Sequence, residues 1–214
     1  MLVFDAVQYP PAPWKTHGRA FMQPYLVDAH QVALPPGFSA VSIAGRCVGV
    51  LALVEYFPPS PLTYAELIWL PCLVSAAGAR GYYVAKMYVD SEASLAGGRE
   101  IWAIPKQLAR FSIGSHSATV DTEDGAHLEL AMAQRGPSIK LRSGASTLQD
   151  GGSDVVRFRG SGTARTGSGG LTITAASGME DWNGWAGARR LPALGAALSS
   201  FEVTMHPARR LQRT

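Results

Sequence analysis

The apolar residues of this chain fall into short runs rich in branched and aromatic side chains, a pattern typical of β-strands. Residues 45–57 are too continuously apolar for a half-exposed strand and predict a strand buried on both faces. After a proline-rich turn, residues 63–70 predict a second strand, and residues 81–90 predict a third. The first half of the chain is therefore expected to form a sheet.

The second half of the chain continues with short alternating segments separated by turn signals. An antiparallel meander is predicted over residues 107–113, 118–122, 127–133 and 138–142. Residues 143–170 are rich in Gly, Ser and Thr, yet they contain the strand-like residues 155–159 and lead into residues 171–175. This pattern predicts a long glycine-tipped hairpin, and residues 201–206 predict a closing strand.

Helices are expected to be few and short. Ser91 is a suitable N-cap for a helix that should end at the glycine pair 97–98. Residues 191–198 predict another short helix, and residues 28–34 predict a helical turn. The fold class is therefore predicted to be mainly β, with a minor helical part (α+β).

The first 28 residues are rich in proline and are expected to wrap the surface in extended form, with a strand candidate over residues 21–27. Residues 1–10 lack the basic start and the apolar run of a secretory signal peptide. No apolar run in the chain approaches the length of a membrane span. We therefore expect a cytoplasmic protein that does not bind a membrane.

The composition narrows the class of protein. With 214 residues, of which 47% are hydrophobic and 16% charged, the chain is expected to form one globular domain spanning residues 1–214. The net charge of +3 is mildly basic, but the arginines are scattered and no aromatic residues interleave with them, so no nucleic-acid partner is expected. The two cysteines and five histidines lack metal-ligand spacing, so no metal is expected.

One lysine stands out from this background. The chain has four lysines against fifteen arginines, and Lys106 follows a proline among isoleucine, tryptophan and leucine neighbours. Burial disfavours the ammonium form, which lowers the pKa of a lysine and frees its amine as a nucleophile able to form a Schiff base with a ketone. The alternative is a lysine whose stem covers apolar surface while its amine reaches water.

Two carboxylates accompany this lysine. Glu55 ends the first predicted strand and Glu66 lies in the second, on the other side of the proline-rich turn. If these strands pair as neighbours, the two side chains come close together and could point into one cavity. Because two nearby carboxylates seldom both ionise easily, one of them should then stay protonated near neutral pH.

Several motifs together resemble the acetoacetate decarboxylase family. The run from residue 90 to residue 108 carries Gly98-Arg99-Glu100 and Ile104-Pro105-Lys106, which resemble the most specific motif of that family. The tripeptides His17-Gly18-Arg19, Leu53-Val54-Glu55 and Tyr64-Ala65-Glu66 resemble its arginine segment and its two glutamate segments. Their order and approximate spacing also fit, and the resemblance covers residues 19–111.

The resemblance implies both a fold and a chemistry. The fold would be an acetoacetate decarboxylase-like β-barrel or cone of antiparallel sheets around a central cavity, in a homo-oligomer. Lys106 would form a Schiff base with a small-molecule keto acid, without any cofactor. Glu55 and Glu66 would serve proton transfer, and Arg19 would bind the substrate carboxylate, or else only pair with a glutamate. Arg99 and Glu100 are expected to tie the helix end to neighbouring backbone.

One residue departs from the family pattern. The decarboxylases have a second lysine directly after the nucleophile, where this chain has Gln107. Without that neighbouring cation, burial would have to lower the pKa of Lys106, with Arg19 as a helper. Gln107 is expected either to contact the substrate and tune the lysine, or to point away from the cavity, as adjacent residues on a strand do.

The resulting prediction is a cofactor-free, Schiff-base-forming lyase that decarboxylates a β-keto acid of the acetoacetate type. The first alternative is an aldolase, dehydratase or cyclase that uses the same lysine imine on a larger keto substrate in specialised metabolism. The second alternative is a protein that binds a keto acid and does not turn it over.

Overall fold

The computed structural model describes residues 7–213, and residues 1–6 and 214 lie outside this range. The strands in the described range are β1 (Trp14–Asp28), β2 (Ser39–Ala40), β3 (Arg46–Phe57), β4 (Tyr64–Leu70), β5 (Cys72–Ala76), β6 (Ala79–Tyr83), β7 (Lys86–Val89), β8 (Lys106–Ile113), β9 (Ser117–Thr122), β10 (His127–Asp150), β11 (Asp154–Ser177), β12 (Arg189–Arg190), β13 (Ala196–Met205) and β14 (Arg209–Gln212). The helical elements are α1 (Glu92–Trp102) and two 3-10 turns, Ala29–Gln31 and Pro192–Leu194.

The strands form one mixed sheet that curves back on itself. Its order runs β11-β13-β1-β3-β4-β7-β8-β9-β10, and β10 pairs with β11 again, so the path of pairings closes. Neighbouring strands are antiparallel except for β7 with β8 and a single contact between β6 and β10. The predicted fold class, mainly β with a cone-like arrangement, is confirmed.

Alternating side chains along β1, β3 and β4 point to two different apolar cores. Leu51, Leu67 and Trp69 belong to the large core, and we call their side of the sheet the large-core face. Trp14 and Met87 belong to a smaller core on the opposite side, which we call the small-core face. Helix α1 supplies Trp102 and β11 supplies Phe158 to this small core.

The opening segment differs from its prediction. Residues 1–6 of this segment, on which the signal-peptide argument also rested, lie outside the described residues. The expectation of a surface wrap is wrong from Trp14 onward, because β1 lies between β3 and β13 in the sheet. Trp14, Tyr25 and Val27 are buried in β1, so the strand buries side chains on both of its faces.

The predicted strand over residues 81–90 is interrupted. Val84 and Ala85 separate β6 from β7, and Val84 is buried in the small core. The two pieces then join different neighbours, because β6 pairs with β5 while β7 pairs with β4 and β8. One continuous strand could not reach both parts of the sheet.

Helix α1 begins as predicted but continues past the glycine pair. Ser91 accepts a hydrogen bond from the Ser94 amide at 3.2 Å as the N-cap. The helix ends instead at Trp102, and Ala103 adopts the left-handed conformation with φ of 54°. The glycines are needed for close packing: a Cβ on Gly97 would lie 2.8 Å from Trp14.

The end of the chain contains less helix than expected. The helix predicted over residues 191–198 is limited to the 3-10 turn Pro192–Leu194, because β13 begins at Ala196 and pairs with both β1 and β11.

The glycine-tipped hairpin is confirmed and is longer than predicted: β10 and β11 flank a turn at residues 151–153. Across residues 7–213, no helix is long and apolar enough to span a membrane.

Because β1 lies very close to β3 at Gly18, adding a side chain at this position should destabilise the protein. A Cβ on Gly18 would lie 1.9 Å from the backbone oxygen of Glu55. Gly18→Ala should therefore separate these strands and lower the free energy of unfolding by about 3 kcal/mol, as overpacking of a core does. Denaturant titration measures this difference.

Gly114→Ala is the matched control for Gly18→Ala. Its Cβ would meet nothing closer than 3.6 Å, and alanine restricts the unfolded chain, so stability should stay within about 1 kcal/mol of the parent. Equal stabilities of the two variants would contradict the close approach of β1 to β3 at Gly18.

Candidate active site

Lys106 is the first residue of β8, and its side chain points onto the small-core face. Only 3% of the side chain is exposed. Its Nζ donates hydrogen bonds to Oε2 of Glu66 and to Oγ of Ser94, each at 2.8 Å. The amine therefore does not reach water, and the alternative of a lysine with an exposed head is excluded.

Helix α1 and its C-terminal turn fix the position of Lys106. Because β7 and β8 are parallel, the chain must cross over between them, and α1 forms that connection. Arg99 donates from Nε to the backbone oxygen of Lys106 at 2.8 Å, as expected for a residue that ties the helix end to backbone. Gly98 leaves room for the lysine stem, because a Cβ there would lie 2.5 Å from Cδ of Lys106.

Glu66 holds the other end of this polar cluster. It lies in β4 and is 3% exposed, and its Oε1 accepts a hydrogen bond from the Tyr56 hydroxyl at 3.1 Å. Tyr56 stacks on Tyr64 with ring centroids 4.4 Å apart, and the Tyr64 ring centroid lies 5.1 Å from Nζ of Lys106. The functional groups of these four side chains therefore meet at one place.

Two opposing effects determine the pKa of Lys106. Burial acts most strongly and lowers the pKa of Lys106, but the charge of Glu66, the neighbouring Tyr64 and their hydrogen bonds together outweigh it. The pKa of Lys106 is therefore raised, and the prediction that burial would lower it is wrong for this resting state. Transfer of the Lys106 proton to Glu66 along the 2.8 Å hydrogen bond would leave both groups neutral.

A cavity of about 200 Å³ lies against this cluster. Its walls include all six buried residues of the small core: Trp14, Val84, Met87, Trp102, Ile104 and Phe158. Among its lining residues, Lys106 and Glu66 are the charged ones. Since pockets for drug-sized ligands usually measure about 300 to 1,000 Å³, this cavity suits a small molecule with apolar parts.

Glu55 and Arg19 do not belong to this cavity. In the register of β3 and β4, Glu55 pairs with Ala65 and Val54 pairs with Glu66, so the two glutamates lie on opposite faces of the sheet. The prediction that they point into one cavity is wrong. Glu55 instead forms an ion pair with Arg19, its direct partner on β1. Arg19 thus pairs with a glutamate, as the alternative for it expected, and its Nη2 also donates to the backbone oxygen of Gly114 at 3.4 Å.

Gln107 also lies away from the cavity. It follows Lys106 on β8, so its side chain points to the large-core face, and it does not line the cavity. A substrate contact by Gln107 in this cavity does not fit the geometry. Its Oε1 is buried and has no hydrogen-bond partner among the described residues.

Three members of the cluster were not predicted from the sequence: Tyr56, Tyr64 and Ser94. Tyr56 is next to Glu55 in the chain, and only the register of the hairpin tells which of the two shares a face with Glu66. Ser94 reaches Lys106 because α1 packs over the start of β8. Helical spacing could have placed Ser94 and Gly98 on one face of α1, four residues apart.

The described residues offer no metal site, since no three His, Cys, Asp or Glu side chains among them are grouped to hold an ion. Cys47 and Cys72 are free and buried.

The family follows from comparison with known proteins. The model of the family "Acetoacetate decarboxylase (ADC)" matches residues 4–151. This chain therefore belongs to the acetoacetate decarboxylase family.

Curated relatives match over short segments. Acetoacetate decarboxylase 1 of Bradyrhizobium diazoefficiens is 58% identical over 36 residues, which are 17% of this chain and 14% of that protein. Acetoacetate decarboxylase of Paraburkholderia phytofirmans is 39% identical over 64 residues, which are 29% of this chain and 25% of that protein. The matched segments thus span a quarter or less of these relatives.

Solved structures match over nearly the whole chain at low identity. An acetoacetate decarboxylase-like enzyme from Sphingomonas wittichii RW1 has a TM-score of 0.67 and 17% identity, covering 95% of this chain and 94% of that one. Acetoacetate decarboxylase from Legionella pneumophila has a TM-score of 0.64 and 17% identity, covering 98% and 93%. The enduracididine biosynthesis enzyme MppR, complexed with the condensation product of pyruvate and imidazole 4-carboxaldehyde, has a TM-score of 0.58 and 19% identity, covering 97% and 92%. These likenesses establish the fold.

Replacing Glu66 should change the proton affinity of Lys106. Glu66→Gln removes the charge that raises the pKa of Lys106 and leaves burial, which lowers it. The pH at which Lys106 becomes reactive should therefore fall. Reductive methylation with formaldehyde and cyanoborohydride across a pH series, quantified at Lys106 by peptide mass spectrometry, measures this midpoint.

Glu55→Gln is the control, because Glu55 lies on the opposite face and pairs with Arg19. It should leave the midpoint of Lys106 unchanged. If both variants moved the midpoint equally, the separation of the two glutamates would be refuted.

Proposed function

We propose that this protein is a cofactor-free lyase that decarboxylates a β-keto acid through a Schiff base on Lys106. The observation that carries the proposal is the buried amine of Lys106, hydrogen-bonded at 2.8 Å to a single carboxylate at the wall of a small cavity. A nucleophilic amine needs a partner that can take and return its proton, and Glu66 is in hydrogen-bond reach for that task.

The reaction begins with proton transfer from Lys106 to Glu66. The neutral amine then attacks the keto carbon and forms a carbinolamine. Glu66 returns the proton to the carbinolamine oxygen, water leaves, and a protonated imine remains beside the ionised carboxylate. This carboxylate stabilises the positive charge of the imine.

Carbon dioxide is lost at the next step. The bond between the carboxylate and the adjacent carbon breaks, and its electron pair moves toward the imine nitrogen to give a neutral enamine. A proton added to the enamine carbon restores the imine, and water then releases the ketone and free Lys106. The whole reaction consumes one proton for each keto acid anion.

The cavity favours decarboxylation over retention of the carboxylate. Lys106 is the cation among its lining residues, and Arg19 lies on the opposite face, paired with Glu55. A substrate carboxylate would face apolar walls such as Trp102 and Phe158. Because a low-dielectric surrounding disfavours a localised charge, the loss of neutral carbon dioxide is assisted there.

A second candidate is carbon-carbon bond formation on the same imine. The condensation product bound to the structurally similar MppR motivates this alternative. Here the imine of a keto acid such as pyruvate would lose a proton to become an enamine, which would add to an aldehyde carbonyl. In this case the carboxylate is retained in the product.

Trapping experiments test the proposal. Acetoacetate with borohydride should add mass at Lys106 and not at the three other lysines of the chain, Lys15, Lys86 and Lys140. Acetoacetate should also release carbon dioxide. Lys106→Arg keeps a positive charge but has no usable amine, so it should lose both signals, with turnover reduced by on the order of a thousandfold or more.

The other results identify the alternatives. Trapping of pyruvate followed by condensation with an aldehyde, without carbon dioxide release from β-keto acids, would support the second candidate. Trapping without turnover of any substrate would indicate a keto-acid-binding protein. Labelling at Lys86, or at no lysine with any keto acid, would refute the lysine mechanism.

A further inference from the structure

Tyr56 lies beside Glu66, where the sequence predicted the carboxylate of Glu55. It pairs with Tyr64 in the register of β3 and β4, which puts it on the same face as Glu66. Its hydroxyl donates to Oε1 of Glu66 at 3.1 Å, while Oε2 accepts from Lys106 at 2.8 Å. The two oxygens of the carboxylate therefore have separate donors.

The ring of Tyr56 is held in place on two sides. It stacks on Tyr64 at an interplanar angle of 27°, and it meets Phe201 edge-on with centroids 5.7 Å apart. Burial is the main cause that raises the pKa of Tyr56 well above its ordinary value, and the charge of Glu66 adds to it. Tyr56 therefore stays protonated and acts as a hydrogen-bond donor to Glu66 in the resting structure.

We propose that Tyr56 is a positioning residue whose hydroxyl holds the carboxylate of Glu66 turned toward the amine of Lys106. A carboxylate held close to an amine favours the ammonium form of that amine, and the charge of Glu66 raises the pKa of Lys106. Tyr56 thus acts on the nucleophile through Glu66. The proposal rests on the proposed function only for the statement that Lys106 is the nucleophile.

The surroundings of Glu66 contain few groups that could produce the same effect. The titratable side chains that meet it around the cavity are Lys106 from β8, Tyr56 from β3 and Tyr64 from β4. Burial, as the largest cause, raises the pKa of Tyr64 to about 12, so this phenol is also neutral at physiological pH. The other packed elements contribute neutral side chains: Thr16, Ser94, Thr147 and Phe158.

Tyr56→Phe isolates the hydroxyl, because phenylalanine keeps the ring and its stacking. Without this hydrogen bond the carboxylate of Glu66 should be held less closely against the amine, so its charge should raise the pKa of Lys106 less and Lys106 should release its proton more readily. The pH midpoint for methylation of Lys106 by formaldehyde and cyanoborohydride should move to lower pH. Tyr83→Phe, a substitution on the large-core side where Tyr83 packs against Phe38, should not move it.

A double-substitution cycle tests whether the effect passes through Glu66. In the Glu66→Gln background, where no charge remains to be held in place, adding Tyr56→Phe should move the midpoint no further. An unchanged midpoint in Tyr56→Phe alone, or a shift of full size in the Glu66→Gln background, would overturn the proposal. A merely structural role would lower stability without this dependence on Glu66.

The two proposals can fail separately. Methylation of Lys106 requires no keto acid, so it reports on Tyr56 even if no substrate is turned over. If keto acids were trapped at Lys106 but the methylation midpoint did not respond to Tyr56→Phe, the lyase proposal would stand and the role of Tyr56 would be rejected.

Discussion

Burying Lys106 beside Glu66 removes two charges from water, and the surrounding structure has to compensate for that loss. Desolvation costs several kcal/mol for each buried ion, and mutual attraction offsets this only if the remaining donors and acceptors are satisfied. Tyr56 bonds one carboxylate oxygen, Lys106 bonds the other, and Ser94 accepts from the amine. The pair can also become neutral by moving one proton along the hydrogen bond that joins the two groups.

The need to surround this buried ion pair with hydrogen-bond partners explains the placement of α1 and the glycine at position 98. The parallel pairing of β7 with β8 needs a crossover, and α1 provides it while placing Ser94 against the amine. The helix has to approach β8 closely, and Gly98 permits this approach because a side chain there would meet the lysine stem. A glycine inside a helix costs about 1 kcal/mol of stability relative to alanine. The glycine at position 98 accepts this cost because an alanine there would collide with the stem of Lys106.

The sheet holds two charged pairs on its opposite faces. Lys106 with Glu66 faces the small core and the cavity, whereas Arg19 with Glu55 faces the other side, as does Gln107. A side chain at position 107 could therefore influence Lys106 only across the sheet. This arrangement leaves the cavity with one amine, one carboxylate and largely apolar walls.

The sequence by itself determined the strand-rich fold, the family and the unusual setting of Lys106, because these depend on residue type, local periodicity and short motifs. It could not decide between Glu55 and Tyr56 as the neighbour of Glu66, since a shift of one residue in strand register exchanges the two faces. It also gave the wrong direction for the pKa of Lys106, because burial is suggested by apolar neighbours but the opposing charge of Glu66 comes from a strand 40 residues away. Contacts between distant segments decide such points, and only the tertiary structure contains them.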